Sequence, residues 1–513
     1  MGTPFIPSWD LLRPFVAELI LIATILALLI GPFFRGRSNQ RSGLTALVGV
    51  LAALVGLLLV GEKANAGVLF RGMLVSDGFA VFWKALLLLF TAGVIVMWFS
   101  TTAWAMHEGD GAEFFTLLLG AVVGMCLMAS TSNLLMIFLA VELTSLPSYV
   151  LAGFRKTHRV GSEASLKYVL FGAATSCVMV YGLSMLYGMY GTLQVEQLAG
   201  RIAATGGVPL MIGLAGIIVG IGFKISAVPL HFWCPDVFEG AGVDVAAFLS
   251  VASKGAGLTL MLRVLMSLAE AQGYSPDPTV SVVAIVIGVM GAVTATVGNT
   301  AAFVQNNIKR LLAYSSIAHA GYMLCALSLL VRGDARGSLA DSAAQSILLY
   351  LAVYLFMNLG AFTVAGLIHR EVGSEQIDDY AALGRRNPVL ALCMAAFMFS
   401  LVGLPPFAGF VAKWNVMSAL GGNGTWWWIL VAVIGINTIF SLYYYARVIR
   451  VMYLVDSDKP ALPVSPLGLG LSVVCALMLV AMLIGYNPLW RITSHYGRPH
   501  LPVSSVQAAA DIK

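Results

Sequence analysis

The sequence has few charged residues. Asp, Glu, Lys and Arg together make up 10% of its 513 residues, whereas 59% of the residues are hydrophobic. A soluble domain usually carries about 25% charged residues. The shortage excludes an ordinary soluble protein, and we expect no nucleic-acid partner.

Cysteine is also scarce, and its six residues never form a CxxC pair. Most of them lie inside apolar runs, where a free cysteine behaves as a small hydrophobic residue. The spacing therefore supports neither an iron–sulfur cluster nor a disulfide framework. We also expect no cleavable signal peptide, because the first apolar run, from about Phe15 to Phe34, is long enough to span a membrane.

Long apolar runs are abundant instead. They measure about 18 to 28 residues and are separated by short polar loops, so each can cross a hydrocarbon core of about 30 Å. The sequence predicts an all-α polytopic membrane protein with about 14 transmembrane helices and both termini on one side. The predicted spans are residues 12–34, 44–61, 78–100, 113–131, 134–154, 165–190, 209–229, 243–268, 279–301, 309–331, 343–369, 388–420, 426–450 and 464–487.

The distribution of basic residues predicts the orientation. Loops that follow odd-numbered spans hold 15 Lys and Arg residues, whereas the opposite loops and both termini hold 9. Cytoplasmic loops carry an excess of Lys and Arg. We therefore expect both termini on the outer side and the first loop in the cytoplasm.

Three charged residues lie about six residues from the end of a span: Glu18, Lys84 and Arg263. A long side chain so close to an interface can extend its charged group to water. We expect all three to snorkel in this way.

Four other charges lie deeper in their spans: Glu142, Lys224, Lys254 and Lys413. A charge near the bilayer centre costs about 2.5–3.5 kcal/mol and usually faces the protein interior. Lysine can lose its proton when buried, whereas arginine stays charged. A Glu–Lys pair that opens and closes would load and unload a proton, so we expect these four residues to carry one.

A proline interrupts the seventh span in "GFKISAVPLHFWCPDVFEG", residues 222–240. Because Pro229 has no backbone N–H, it predicts a break near Ser226–Leu230. Freed carbonyl groups at membrane depth require protein or water partners, which favours a polar opening beside Lys224. A simple packing kink is the alternative.

The same combination recurs in the twelfth span, "FSLVGLPPFAGFVAKWNVM", residues 399–417, with Pro405, Pro406 and then Lys413. An offset of five helices inverts the orientation, as in transporters built from inverted repeats. The predicted organisation is a three-helix segment (1–112), a first five-helix repeat (113–268), a second inverted repeat (279–453), a final helix (464–487) and a tail (488–513).

The same offset places His319, in "RLLAYSSIAHAGYML", where Glu142 lies in the first repeat. Histidine titrates near neutrality, so His319 can relay a proton between the repeats, or it can be a satisfied packing group. His231 follows the seventh span, and we expect it at the interface.

Four stretches, "FKISAVPLHFWCPDVFEGA", "FLSVASKGA", "IKRLLAYSSIAHAGYML" and "LVGLPPFAGFVAKW", resemble the antiporter-like membrane subunits of the NADH–quinone oxidoreductases (respiratory complex I) and the related Mrp-type antiporters. The resemblance covers spans four to thirteen. Within the family it is strongest to subunit N, because the chain lacks the lateral helix of subunit L and has Lys413 where subunit M usually has glutamate.

The resemblance implies that Glu142 modulates Lys224, that Lys254 is the central lysine and that Lys413 is the terminal lysine. It also implies a subunit of a proton-pumping translocase in a bacterial inner membrane. NADH, FMN, iron–sulfur clusters and quinone would be bound by partner subunits, and the partners would be other membrane subunits, including homologous antiporter-like ones, and the lipid bilayer.

One stretch departs from the family. Where its members usually have a proline-containing "GAPTPV"-like stretch, this chain has "GAGVDVAAF", which adds Asp244. This departure changes either the local entry geometry or the stiffness of the loop. Two other functions also stay open at this point, a cation/proton antiporter without redox chemistry and a membrane scaffold, although a scaffold would leave the four deep charges unexplained.

Overall fold

Helices are the expected solution for apolar spans, because a helix satisfies its own backbone N–H and C=O groups where no water is present. The computed structural model describes residues 12–61, 67–102, 106–107, 109–155, 158–202, 207–271, 278–331 and 338–497. Across these ranges 13 helices are long and apolar enough to cross a membrane. The predicted class, an all-α polytopic membrane protein, is confirmed.

Some sequence predictions fall outside the described ranges. They concern residues 1–11 of the N-terminal segment, residues 498–513 of the tail, and six basic residues used for the orientation: Lys63, Lys156, Arg332, Arg336, Arg498 and Lys513.

The helices follow one another with short connections. In chain order they are α1 (Val16–Arg35), α2 (Asn39–Gly61), α3 (Gly78–Thr101), α4 (Gly111–Ser130), α5 (Leu134–Ala152), α6 (Arg159–Tyr190), α7 (Val195–Ile202), α8 (Val208–Ile225), α9 (Trp233–Gly240), α10 (Val243–Phe248), α11 (Lys254–Ala271), α12 (Pro278–Ala302), α13 (Ile308–Leu327), α14 (Ser338–Val372), α15 (Leu383–Arg386), α16 (Pro388–Val402), α17 (Ala408–Leu420), α18 (Thr425–Leu454), α19 (Pro466–Ile484) and α20 (Tyr486–Tyr496).

Small elements outside the spans were not predicted. A hairpin pairs β1 (Gly67–Leu69) with β2 (Leu74–Ser76) in antiparallel register. Helix α20 lies in the predicted tail, where the Trp490 carbonyl accepts a hydrogen bond of 3.0 Å from Gln345 on α14. Three or eleven residues give too short a hydropathy signal to be recognised as elements.

The seventh predicted span is interrupted between α8 and α9. Ser226 ends α8 in the left-handed conformation with φ +63°, and the Val228–Pro229 peptide bond is cis. Two backbone groups at the break find side-chain partners: the Phe223 carbonyl accepts from Trp233 Nε1 at 3.0 Å, and Val228 N donates to Thr294 Oγ1 at 2.9 Å.

The twelfth predicted span consists of two short helices, α16 and α17, which explains why it is not among the 13 long ones. Gly403 ends α16 in the left-handed conformation with φ +87°, and the Pro405–Pro406 bond is cis. The helix-end hydrogen bonds match those of the first break. Ala227 N donates to the carbonyl five residues earlier, at 2.9 Å, and Leu404 N does the same at 3.1 Å.

A second local structure also occurs twice. Asn133 caps the start of α5 by accepting from Leu135 N and Met136 N, and Asn307 caps α13 by accepting from Lys309 N and Arg310 N. Each asparagine also forms an isolated antiparallel bridge to a distant glutamine: Asn133 to Gln194, and Asn307 to Gln376.

Small residues allow helices to approach closely, as is common in membrane proteins. A Cβ atom on Gly182 of α6 would lie 2.9 Å from the Cα of Gly216 on α8, and one on Gly321 of α13 would lie 2.3 Å from Ala295 N on α12. The helical segment from Val243 to Ala269 is buried along its whole length. Its middle, Leu249–Ser253, is a π-helical turn that ends at Lys254.

The prediction that three charges snorkel to the interface was wrong. Lys84 Nζ lies 2.6 Å from Glu18 Oε1, and both side chains are buried. Arg263 is fully buried and forms two contacts with Asp77, of 2.8 and 2.9 Å. Each charge is neutralised by a partner on another helix, so none needs to reach water.

Candidate functional site

Lys254 occupies the centre of the buried segment and is 1% exposed. Its Nζ donates a hydrogen bond of 2.5 Å to Ser316 Oγ on α13, and it lies 5.5 Å from the ring centroid of Phe238. A π-helical turn immediately before a residue often marks a functional site, because it shifts the direction of the following side chains. Here the turn precedes Lys254.

His319 lies on the same face of α13, three residues after Ser316. It is 2% exposed, and its Nδ1 is 2.6 Å from the hydroxyl of Tyr350 on α14. Its Nε2 is 3.5 Å from the hydroxyl of Tyr445 on α18, which is itself 2.5 Å from Ser315 Oγ. Both ring nitrogens therefore have hydroxyl partners that can donate or accept.

Lys413 lies at the second helix break and is 4% exposed. Its Nζ donates a hydrogen bond of 2.9 Å to the carbonyl of Val402, the last residue of α16. It also lies 4.9 Å from the ring centroid of Tyr322, whose ring is 5.7 Å from that of His319. The lysine thus occupies the carbonyl end of a helix, where a cation is favoured.

Lys224 lies beside the first break, two residues before Ser226, and is 1% exposed. Three aromatic rings surround its Nζ, those of Tyr149, Tyr168 and Phe223, at 5.5, 5.8 and 6.0 Å. Among the described residues, this Nζ has no hydrogen-bond partner. Aromatic faces stabilise a buried ammonium, but they cannot accept its proton.

Glu142 and Lys224 form no ion pair within 4.0 Å in the described part of the chain. Glu142 instead accepts a hydrogen bond from Ser176 on α6. In this structure the carboxylate is therefore bound to a hydroxyl group rather than to the ammonium of Lys224.

Four of the five predicted residues lie around α11 and α13. Lys254, His319 and Lys413 are brought together around α13, and Lys224 joins them from α8, because its Cβ lies 3.3 Å from the position of a Cβ on Gly257, one turn after Lys254. Glu142, the fifth residue, is hydrogen-bonded to Ser176 on α6. Hydroxyl groups and the imidazole ring lie near Lys254 and Lys413, and each lysine can bind one proton, so the arrangement is suited to short proton transfers.

Sequence reasoning missed the polar side chains between the charges. They are Ser315, Ser316, Tyr322, Tyr350 and Tyr445. Part of the signal was available, because Ser316, His319 and Tyr322 are spaced by three on one helix and must share a face. Tyr350 and Tyr445 come from other helices, and no local pattern assigns them to His319.

His231, expected at the interface, is 8% exposed. It lines a cleft of about 520 Å³ together with Lys167, Asp236, Arg310 and Tyr314. Asp236 pairs with Lys167 and Arg310, each at 2.8 Å. The side chain is buried beside these charged residues, and its place at the interface stays a prediction.

Asp244 is 1% exposed. Within the described ranges, neither of its carboxylate oxygens has a hydrogen-bond partner. Nothing in the structure explains the replacement of the usual family sequence at this position.

Residues 131–440 match the protein family described as NADH:quinone oxidoreductase/Mrp antiporter, transmembrane. The chain is 41% identical over 503 residues to NADH-quinone oxidoreductase subunit N of an Anaeromyxobacter species, with 92% of each chain covered. It is 37% identical to NADH-quinone oxidoreductase subunit N of Rhodospirillum rubrum, with 98% of this chain and 97% of that protein covered.

Two solved structures resemble this chain over nearly its whole length. A chain of respiratory complex I from Thermus thermophilus superposes with a TM-score of 0.76 at 29% identity, covering 93% of this chain and 99% of that chain. A chain of the Mrp complex from a Dietzia species superposes with a TM-score of 0.81, covering 98% and 99% of the two chains, but at 16% identity it shows a shared fold alone.

Proposed function

The chain belongs to the NADH:quinone oxidoreductase/Mrp antiporter family, and we propose that it is the proton-translocating membrane subunit of an NADH–quinone oxidoreductase complex. The observation that carries the proposal is the set of buried lysines, Lys224, Lys254 and Lys413, of which the first and last flank interrupted helices. The relatives named subunit N align over more than 90% of their length.

The proposed roles follow from the contacts. Lys254 is the central proton carrier, because it is hydrogen-bonded to Ser316 in the middle of the buried segment. His319 relays protons through Tyr350 and Tyr445. Lys413 is the terminal carrier beside the second break.

Glu142 and Lys224 form the control pair at the other end. When the carboxylate approaches Lys224, an ion pair favours the charged lysine; when it turns to Ser176, burial favours release of the proton. The hydrogen bond from Ser176 to Glu142 gives the carboxylate an alternative partner in the open arrangement.

We propose that the two halves of the chain are inverted repeats, residues 113–268 and 279–453. Two repeated local structures support this: the matching helix ends at Ser226 and Gly403, and the matching asparagine bridges of Asn133 and Asn307. Both termini would lie on the outer side of a bacterial inner membrane.

Partner subunits would supply the redox chemistry. NADH, FMN, iron–sulfur clusters and quinone would be bound there, and this chain would contribute proton carriers only. Its membrane partners would include homologous antiporter-like subunits. The relatives named subunit N favour this assignment over an independent cation/proton antiporter.

The test measures proton pumping and NADH oxidation together in membrane vesicles that contain the assembled complex. We expect Lys254→Ala to lower the number of protons moved per electron, because the middle carrier is removed. Lys459→Ala is the control, since Lys459 is on a loop and 44% exposed.

Two results would contradict the proposal. One is normal pumping by an assembled Lys254→Ala complex. The other is purification of the chain with antiporter subunits and without NADH-oxidising ones, which would favour a cation/proton antiporter.

A further inference from the structure

A buried Glu–Lys ion pair lies apart from the candidate site. Glu18 on α1 and Lys84 on α3 are 2.6 Å apart, with side chains 0% and 5% exposed. Three successive spanning helices alternate in direction, so α1 and α3 begin on the same side of the membrane. Lys84 lies about 9 Å along α3 from its first residue, at 1.5 Å per residue. The pair is thus enclosed by protein within the membrane.

The pair differs from the other buried ion pair, Asp77–Arg263. There the guanidinium makes two contacts with the carboxylate and donates to the Ala129 carbonyl at 2.7 Å, while Asp77 also accepts from Ala80 N at 2.8 Å. Arginine stays charged, so these contacts fix a permanent ion pair. Asp77–Arg263 is therefore a structural ion pair that does not exchange a proton.

Glu18 has far less support for its charge. Within the described ranges, neither of its oxygens accepts a hydrogen bond of good geometry, and the ammonium of Lys84 alone opposes its charge. Burial disfavours the charged forms of both groups. A neutral pair is therefore accessible: the N–H bond of the Lys84 ammonium breaks, an O–H bond forms on Glu18, and no other reactant is needed.

Trp83 connects this pair to the central lysine. Successive residues of a helix point about 100° apart, so Lys84 faces α1 while Trp83 faces the buried segment. The indole occupies the space beside Gly255, where an added Cβ would lie 2.1 Å from its Cη2 atom. It also lines one small cavity together with Val251 and Ala252 of the π-helical turn. Gly255 directly follows Lys254.

We propose that Glu18 and Lys84 form a second proton-exchanging pair, and that Trp83 transmits its state to Lys254. As an ion pair, the two residues hold α3 against α1; as a neutral pair they hold it less tightly, and the indole can shift against the π-helical turn. Glu18, Lys84 and Trp83 are then positioning residues for Lys254. This inference rests on the proposed function of Lys254.

In the described part of the chain, the thiol of Cys126 is a further titratable group close to the pair. Cys126 lies on α4, which packs against α1, and is fully buried. Cys126→Ser therefore belongs in the experiment, so that an effect of the thiol can be separated from one of the pair.

The experiment compares variants of the intact complex in vesicles, with pumping and NADH oxidation measured together. Lys84→Arg keeps the charge and the donors but cannot release a proton, so we expect a several-fold lower number of protons per electron in a fully assembled complex. Trp83→Phe keeps the pair but shortens the ring that contacts Gly255, and we expect a similar loss. Lys459→Arg is the matched control on an exposed lysine.

A second measurement detects the proton itself. Infrared difference spectra recorded before and during turnover should contain a carbonyl band of a protonated carboxylic acid that Glu18→Asp shifts. This measurement, with Trp83→Phe, decides the matter if Lys84→Arg does not assemble.

The outcomes separate the two proposals. Normal pumping by Lys254→Ala would overturn the proposed function. Loss of pumping by Lys254→Ala, combined with wild-type pumping by Lys84→Arg and Trp83→Phe, would leave that function intact and overturn this inference. An infrared spectrum without a Glu18-dependent band would also overturn it.

Discussion

Lys413 Nζ and the carbonyl oxygen of Val402 are 2.9 Å apart, so the terminal lysine closes the helix end that the second break leaves open. The side chain comes from α17 and the carbonyl from α16. The ammonium of one half-helix thus donates to the last carbonyl of the other. The structure of the break and the charge of the lysine are coupled.

Lys413→Arg tests whether the side chain at position 413 must release its proton during pumping. Arginine can donate to the Val402 carbonyl and keep the break closed, but it does not release its proton. We expect an assembled complex with strongly reduced proton pumping, measured in vesicles against NADH oxidation. Lys413→Ala should instead impair assembly, because it leaves the carbonyl without its donor. Wild-type pumping by the arginine variant would show that Lys413 has a structural role alone.

Ser316→Ala removes the hydroxyl group that accepts a hydrogen bond from Lys254. We expect reduced pumping without loss of assembly, because the hydroxyl is a connecting group and its removal leaves little empty space. Ser328→Ala is the matched control, since this buried serine donates only to the Cys325 carbonyl among the bonds described for it. Equal pumping by the two variants would contradict the role of Ser316.

Glu142→Gln keeps the shape of the side chain and removes the charge that is proposed to control Lys224. We expect normal assembly and lower coupled pumping, because Lys224 then loses the carboxylate that controls its proton. Glu163→Gln is the control on the exposed face of α6, where the side chain is 60% exposed. If Glu142→Gln pumps as well as Glu163→Gln, then Glu142 does not control the proton on Lys224.

Arg263→Met tests the contribution to stability of the buried ion pair between Arg263 and Asp77. Removing one partner of a buried ion pair leaves an uncompensated charge and costs about 3–5 kcal/mol. We expect a lower Tm of the detergent-solubilised complex, and partial recovery in the double variant Asp77→Asn with Arg263→Met. An unchanged Tm in the single variant would mean that water or another group replaces the arginine.

Hydropathy predicted the all-α polytopic class, and α8 and α16 end close to the prolines that favour interruptions, because hydropathy and proline chemistry both depend on local sequence. They could not identify the partners of buried charges. Asp77 and Arg263 are separated by 186 residues, and depth within a span does not reveal which neighbouring helix supplies an opposite charge. For that reason Glu18, Lys84 and Arg263 were expected at the interface, whereas each lies in a buried pair.

For the candidate site, too, the sequence indicated the charged residues but not their neighbours from other helices. Deep lysines are visible in a sequence because their insertion is costly. The tyrosines around His319 come from α14 and α18, and packing between distant helices determines their place.

The contact between Trp83 and Gly255 also constrains how the sequence can vary. The indole fills the volume that any side chain at position 255 would require. The combined volume of the side chains at positions 83 and 255 is therefore limited. A larger residue at 255 is compatible with this packing only if residue 83 becomes smaller at the same time. Among homologous sequences, we expect the two positions to covary in volume, although 172 residues of chain separate them.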